Sequence, residues 1–195
     1  MTVENVGPFA RFRDWYEEAL RSPHAIPNAM CLSTVGVDGT PAARMVLLAS
    51  FDDRGFVFHT NYESRKGAEL AACPHAALLF WWESLNRQVR VEGSAERTTP
   101  EESDAYFSRR PRASQLGAWA SDQSRALPLW ETLEARMREL EERFKDLPVP
   151  RPPQWGGYRV LPSAFEFWKG REDRLHERLR YDRTPGGWAV RLLYP

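Results

Sequence analysis

The chain has 195 residues, enough for a substantial core, with 27 Lys+Arg balanced by 27 Asp+Glu. A neutral chain has no general attraction for nucleic acid or anionic membrane, and no apolar run approaches the roughly 18 residues a membrane span requires. Two cysteines, Cys31 and Cys73, make no disulfide framework, and the N-terminus lacks a basic-then-apolar signal pattern, so a soluble cytoplasmic protein with free thiols is expected.

Pro8 suits a first helical position, and Phe9, Phe12, Trp15, Tyr16, Ala19 and Leu20 follow at helical spacing. This predicts an amphipathic helix over 8–21, ended by Ser22-Pro23. Ala29–Val35 reads as a strand, which Val37-Asp38-Gly39-Thr40 turns into a second strand, Arg44–Ala49. Asp52-Asp53-Arg54-Gly55 then turns the chain into Gly55–Thr60, so the Arg44 and Gly55 strands are expected to form a hairpin.

A short helix is predicted over Ser64 to Ala72. Ser64 is a good N-cap, but Arg65 and Lys66 follow at once, where the helix dipole disfavours cations. Free N–H groups with Arg and Lys beside them make a phosphate or carboxylate site; the alternative is two side chains in water.

Ala76–Trp82 is an apolar run without alternation, which predicts a strand buried on both faces. After a turn at Leu85-Asn86, Arg87–Gly93 alternates, with Val89 and Val91 on one face and Gln88, Arg90 and Glu92 on the other. Thr99-Pro100-Glu101-Glu102 is a capping box opening a helix to about Ser108. Pro111 starts another through Trp119. Leu129, Leu133, Met137, Leu140 and Phe144 mark one face of a charged helix over 128–145. Beyond the extended connector Pro148–Pro153, strands are expected at Gly157–Val160, Ala164–Trp168, Arg178–Asp182 and Trp188–Leu193, the last two joined by Thr184-Pro185-Gly186-Gly187. Hairpin-joined strands with helices as insertions imply a mainly β (α+β) chain, folded as an antiparallel barrel-like sheet.

Polar groups concentrate at Arg44, at Arg65-Lys66, at Arg87-Gln88, from Tyr106 through Ser124, and from Trp168 through Arg178. Each alone also reads as ordinary surface polarity. No H-x-x-x-H or C-x-x-C occurs, and His24, His59, His75 and His176 are far apart, so no metal site is expected. No G-x-S-x-G supports an acyl-transfer serine, and no G-x-G-x-x-G follows a strand.

Taken together, these places resemble the pyridoxine/pyridoxamine 5′-phosphate oxidase family. The resemblance runs from about Asn28 to Pro195. It rests on Arg44-Met45-Val46-Leu47-Leu48, Thr60-Asn61-Tyr62-Glu63-Ser64-Arg65-Lys66-Gly67, Arg87-Gln88-Val89-Arg90-Val91-Glu92-Gly93 and Gly117-Ala118-Trp119-Ala120-Ser121-Asp122-Gln123-Ser124. Trp155-Gly156-Gly157-Tyr158, Glu166-Phe167-Trp168 and Arg174-Leu175-His176-Glu177-Arg178 complete it.

The resemblance implies an antiparallel split β-barrel with peripheral helices, one domain over 1–195, and a homodimer with FMN at the subunit interface. It implies that Arg44, Arg65 and Lys66 surround the FMN phosphate, with Met45, Val46, Leu47 and Leu48 beside Arg44. His59 and Thr60 would line the flavin site, Gln88 would lie near the ring, and Gln123 and Ser124 would add contacts. Trp168 and Arg178 would come from the partner subunit. Tyr106, Arg110 and Ser114 would hold the substrate phosphate, and Arg174 and His176, the candidate catalytic pair, would lie over the substrate ring.

Two departures stand out. Ala49 occupies the position where the family usually has a lysine on the substrate phosphate; Arg109, Arg112 and Lys169 are candidates to replace that charge. The family also carries an upstream segment with Arg and Tyr that folds over the active site, and this lid is expected to be absent. The implied reaction is oxidation of pyridoxamine or pyridoxine 5′-phosphate to pyridoxal 5′-phosphate, with O2 as acceptor and H2O2 as product. Alternatives are an FMN-dependent oxidase of another ring, of the phenazine-biosynthesis type, and a flavin- or pyridoxal-phosphate-binding protein without turnover. Ala49 and the expected absence of the lid favour the phenazine reading; Tyr106, Arg110 and Ser114 count against it.

Overall fold

The apolar stripe of the first helix meets its expectation. In the computed structural model, which describes residues 6–23 and 26–195, α1 spans Pro8–Arg21 with Pro8 in its first turn. Phe12 on this stripe is fully buried, and Phe51, Phe56 and Phe80 meet its ring edge-on at 4.9, 4.7 and 5.0 Å. Such ring pairs add about 0.5–1.5 kcal/mol each beyond the area they bury. The many aromatic residues thus build the core between α1 and one face of the sheet.

Among the described residues the strands are β1 (Ala29–Val35), β2 (Pro41–Leu47), β3 (Ser50–Asp52), β4 (Gly55–Asn61), β5 (His75–Trp82), β6 (Arg87–Arg97), β7 (Trp155–Lys169), β8 (Glu177–Thr184) and β9 (Gly187–Leu193). They form one antiparallel sheet in the order β2-β1-β5-β6-β7-β4-β3, with β8 on β7 and β9 on β8. The helices α2 (Arg65–Ala72), α3 (Pro100–Phe107), α4 (Arg112–Ala120) and α5 (Trp130–Arg143) are peripheral. The split arises at β7. One edge of this strand follows β6, while the other pairs β4 from Trp155 to Val160 and β8 from Ala164 to Lys169. The register shifts where the partner changes, between Glu92 and Gly93. A Cβ on Gly93 would lie 2.0 Å from the Leu161 carbonyl oxygen, so only glycine admits this crossing of strands.

Three expectations need correction. The Arg44 strand does not pair with β4. β2 ends at Leu47 and pairs β1, whereas the Asp52–Gly55 turn joins β4 to the three-residue β3. The backbone at 48–49 changes partners: the Leu48 N–H reaches the Asn28 carbonyl, and the Ala49 N–H reaches the Val57 carbonyl. Strand propensity continues through this bend and hides it. Next, β5 is buried on one face only. Leu78, Phe80 and Trp82 are in the core, while Trp81 remains 49% exposed. Finally, Gly157–Val160 and Ala164–Trp168 are parts of a single strand, because Pro162 falls where the register shifts. Proline is tolerated at such a bulge because a ladder bond is already missing there.

A second, smaller core joins Phe107 of α3, Leu116 of α4, Phe144 and Val149 to Trp155 at the start of β7. It seats the helical insertion over that end of the sheet. Thr99 forms the expected capping box with Glu102. Among the described residues no helix is long and apolar enough to cross a membrane.

Candidate functional site

Ser64 caps α2 as its sequence suggests, accepting from the Gly67 N–H at 3.3 Å. A Cβ on Gly67 would sit 2.1 Å from the Tyr62 carbonyl oxygen, so glycine permits this tight entry. The turn presents Lys66 to a polar group: Nζ donates to Gln123 Oε1 at 2.8 Å, Thr60 Oγ1 at 3.2 Å and Ser64 Oγ at 3.4 Å. Burial, and then the nearby Arg44 charge, push the Lys66 amine below the ordinary lysine range.

Glu69, only 7% exposed, organises the other two cations. Its Oε2 accepts from Arg44 Nη2 at 2.8 Å and from Thr34 Oγ1 at 2.5 Å; its Oε1 accepts from Arg65 Nε at 2.8 Å. Arg44 Nη1 also donates to Thr34 Oγ1. Burial alone would raise the Glu69 carboxyl, but hydrogen bonds from Thr34, Arg65 and Arg44 more than offset it and hold the group below the usual carboxylate range. Three cations then face one carboxylate, a surplus that favours an anionic ligand. Neither Glu69 nor Thr34 was among the site residues expected from sequence. The only local signal was the spacing of Arg65 and Glu69, an i,i+4 pair.

Gln123 links this group to a cavity of about 240 Å3 that is also lined by Asn61, Arg110, Ser114 and Trp155. Its Trp155 wall belongs to a stack of rings. Tyr106 lies 3.8 Å from His59 at an interplanar angle of 9°, His59 lies 5.2 Å from Trp155, and the Arg110 guanidinium sits 4.6 Å from the Trp155 centroid. Arg110 Nη1 and His59 Nδ1 are buried without a hydrogen-bond partner. Burial lowers the Arg110 pKa. An unpaired guanidinium on a cavity wall is costly unless an anion arrives to pair with it.

Burial, and then the Arg110 charge, bring the His59 pKa down to about 4, so the ring is neutral at pH 7. Between about pH 6.5 and 4 the unfolded chain takes up a proton here that the folded chain refuses. Stability therefore falls as pH falls through that window, by about 1–3 kcal/mol once the ring's partial solvent access is allowed for. The thermal midpoint of the apoprotein is expected to drop from pH 6.5 to 4, and His59→Phe, which keeps the stack, should flatten that slope. An unchanged slope would contradict the assignment.

Most of the remaining candidates lie on the outer sheet face or at its edge. Trp81, Gln88, Trp168 and Arg178 are successive cross-strand partners on β5, β6, β7 and β8. His176 lies against Trp168, with centroids 4.6 Å apart and the rings tilted by 43°, and its Nδ1 accepts from the Arg171 N–H at 3.2 Å. A neutral His176 therefore carries its proton on Nε2, which makes Nε2 a donor to a ligand. Arg174 follows Asp173 in a left-handed turn, at φ 59° and 54°. Met45 and Leu47 share this outer face and are 65% and 53% exposed, Val46 is partly buried, and Leu48 packs in the core. Ser124 is exposed, at φ 72°.

The structure thus gathers Arg44, Thr60, Arg65, Lys66 and Gln123 with the Arg110–Ser114 cavity, and Tyr106 stacks on His59 and Trp155 beside it. It does not bring that group to Trp168, Arg174, His176 and Arg178 within one chain. Thr60 pairs Gly156 and Arg178 pairs Trp168, twelve positions along β7, which is up to about 40 Å of strand. None of the candidates to replace the charge missing at Ala49 lines the cavity. Arg112 donates to the Leu147 and Phe144 carbonyls, Arg109 to the Ala105 carbonyl, and Lys169 lies at the far end of β7. Among the described residues no group of His, Cys, Asp and Glu is placed to hold a metal ion. His24 lies outside the described residues.

Comparison with known proteins identifies the family. A family profile described as pyridoxamine 5′-phosphate oxidase matches residues 16–144, and one for the pyridoxine 5′-phosphate oxidase C-terminal dimerisation region matches 155–195. The chain is 60% identical over 188 residues to a pyridoxine/pyridoxamine 5′-phosphate oxidase of Rubrobacter xylanophilus, covering 96% of this chain and 87% of that one. It is 56% identical over 191 residues to the enzyme of that name from Burkholderia multivorans, covering 96% and 89%. Among solved structures it is similar to PhzG from Burkholderia lata in complex with tetrahydrophenazine-1-carboxylic acid, with a TM-score of 0.94, 34% identity and coverage of 99% and 95%. A pyridoxamine 5′-phosphate oxidase-related, FMN binding protein from Nostoc punctiforme shares the fold, with a TM-score of 0.77, 17% identity and coverage of 97% and 99%.

Proposed function

Since this chain belongs to the pyridoxamine 5′-phosphate oxidase family, a family of FMN-binding oxidases, we propose that it oxidises pyridoxamine or pyridoxine 5′-phosphate to pyridoxal 5′-phosphate, reducing O2 to H2O2. The observation that carries this reading is the continuity, through Gln123, between the Lys66 cation group and the cavity holding the unpaired Arg110. Two anion sites share one crevice, which suits a phosphorylated cofactor and a phosphorylated substrate side by side.

In this reading Arg44, Arg65 and Lys66 hold the FMN phosphate, with Thr60, Gln123 and Ser124 beside them. Bound FMN supplies the acceptor for a hydride from the substrate's 4′ carbon. Tyr106, Arg110 and Ser114 fix the substrate phosphate, and orientation supplies much of the rate. Neutral His59 backs the Tyr106 ring without adding charge. Arg174, His176, Trp168 and Arg178 reach the crevice from a second copy, because their own chain holds them far from it. His176 Nε2 then serves as a donor that orients the substrate ring. A homodimer also covers the exposed Met45, Leu47 and Trp81 of the outer face and agrees with the dimerisation-region match.

The test is direct. The purified protein is expected to show flavin absorbance and, with pyridoxamine 5′-phosphate in air, to form peroxide and an aldehyde product. Flavin absorbance without turnover would sink the oxidase reading for this substrate. A second reading, a flavin oxidase of a different ring, is favoured by Ala49 and by the likeness to PhzG. Ala49→Lys separates the two. It should lower KM for pyridoxamine 5′-phosphate by about tenfold, the worth of one charged hydrogen bond. An unchanged KM would count against a substrate phosphate near that position.

A further inference from the structure

We propose that Glu166 is a positioning residue that sets Arg178 for the cofactor, a role that rests on the reading of Arg178 as an FMN contact. Glu166 points to the outer sheet face yet is only 3% exposed. Its Oε1 accepts from Arg178 Nε at 2.8 Å, and its Oε2 accepts from Arg90 Nη1 at 3.3 Å. A carboxylate so enclosed is tolerated when guanidinium groups pair with it on both sides.

The two arginines depend on Glu166 unequally. Arg90 has a second carboxylate, Glu92, at 2.8 Å, and Glu92 is tied onward to Arg180 at 3.2 Å. Among the described residues, Glu166 is the carboxylate partner of Arg178, whose other contact is Nη1 to the Tyr194 carbonyl at 3.1 Å. These two bonds fix the plane and direction of the Arg178 fork and leave Nη2 for a ligand. A flexible arginine would lose rotamer freedom on binding; one held at Nε has lost it already. Glu166 thus acts on the cofactor through Arg178 and does not touch it.

A double-mutant cycle read as FMN dissociation constants, with apoprotein melting midpoints alongside, tests this. Glu166→Gln is expected to weaken FMN binding about tenfold in the wild-type background and less than about twofold in the Arg178→Met background. Arg90→Met disturbs the same carboxylate from its other side, so it should lower the melting midpoint while leaving FMN affinity within about twofold. Should Glu166→Gln fail to fold, Glu166→Asp keeps the charge but withdraws it by one methylene, and the same dependence on background is expected. Equal weakening in both backgrounds would overturn the proposal. So would a loss of affinity in Arg90→Met that keeps step with its loss of stability. If Arg178→Met alone leaves FMN binding unchanged, the reading of Arg178 fails too; if it weakens binding but Glu166→Gln does not, only the positioning role fails.

Discussion

Lys66→Met should weaken FMN binding by about 10- to 100-fold while leaving the apoprotein as stable as before, or more so. The loss follows from a charged hydrogen bond to phosphate, typically about 1.5–3 kcal/mol. The stability expectation has a separate source. Burial and the neighbouring Arg44 already disfavour the charged amine, as its lowered pKa records. Methionine keeps much of the alkyl stem and removes a cation that the empty site does not need. Stability given up for an anion that is not yet bound is a common feature of binding sites. Flavin titration and thermal melting of the same preparations check both halves. A variant that melts early and binds FMN normally would show Lys66 to be a structural residue.

Arg110→Met should raise KM for pyridoxamine 5′-phosphate by about 100-fold, with a smaller fall in kcat. Arg110 Nη1 is buried on the cavity wall with no partner, so its favourable interaction is made only when the ligand anion is present. The phosphate is remote from the 4′ carbon, so most of its contribution is uniform binding, which appears in KM. Part of it orients the ring, and that part appears in kcat. FMN affinity should stay within about threefold, because the cation group around Lys66 is untouched. Steady-state kinetics with the phosphorylated and dephosphorylated substrates separate the cases. If Arg110→Met changes KM equally for both, the guanidinium is not a phosphate anchor.

Local chemistry made much of the fold readable. The α1 stripe, the Ser64 cap and the Thr99–Glu102 capping box depend on residues a few positions apart, and each matches the structure. What failed to read was non-local. Nothing near residue 48 shows that the chain leaves β1 for β4, since that depends on which backbone lies alongside. The run at 76–82 reads as buried on both faces because its outer residues are apolar; Trp81 is nonetheless half exposed in the single chain. The proposed second copy would reconcile the two. The same division holds at the site. The cations were legible from the Arg44 and Arg65-Lys66 motifs. Thr34, Glu69 and Glu166, which orient those cations and Arg178, were not, because all three reach an arginine across the sheet or from helix to strand.

In the proposed dimer, two copies of the chain complete each site, one supplying Lys66 and the other Arg178. Mixing the two single variants tests it. Lys66→Met and Arg178→Met are each assayed at an FMN concentration that saturates only the wild-type protein, and then refolded together in equal amounts. About half of the resulting dimers are mixed, and each mixed dimer has one site with both residues intact, so activity should rise to about a quarter of wild type. If Lys66 and Arg178 served the same site from the same chain, every site in the mixture would lack one of them, and the mixture would be no more active than its parents.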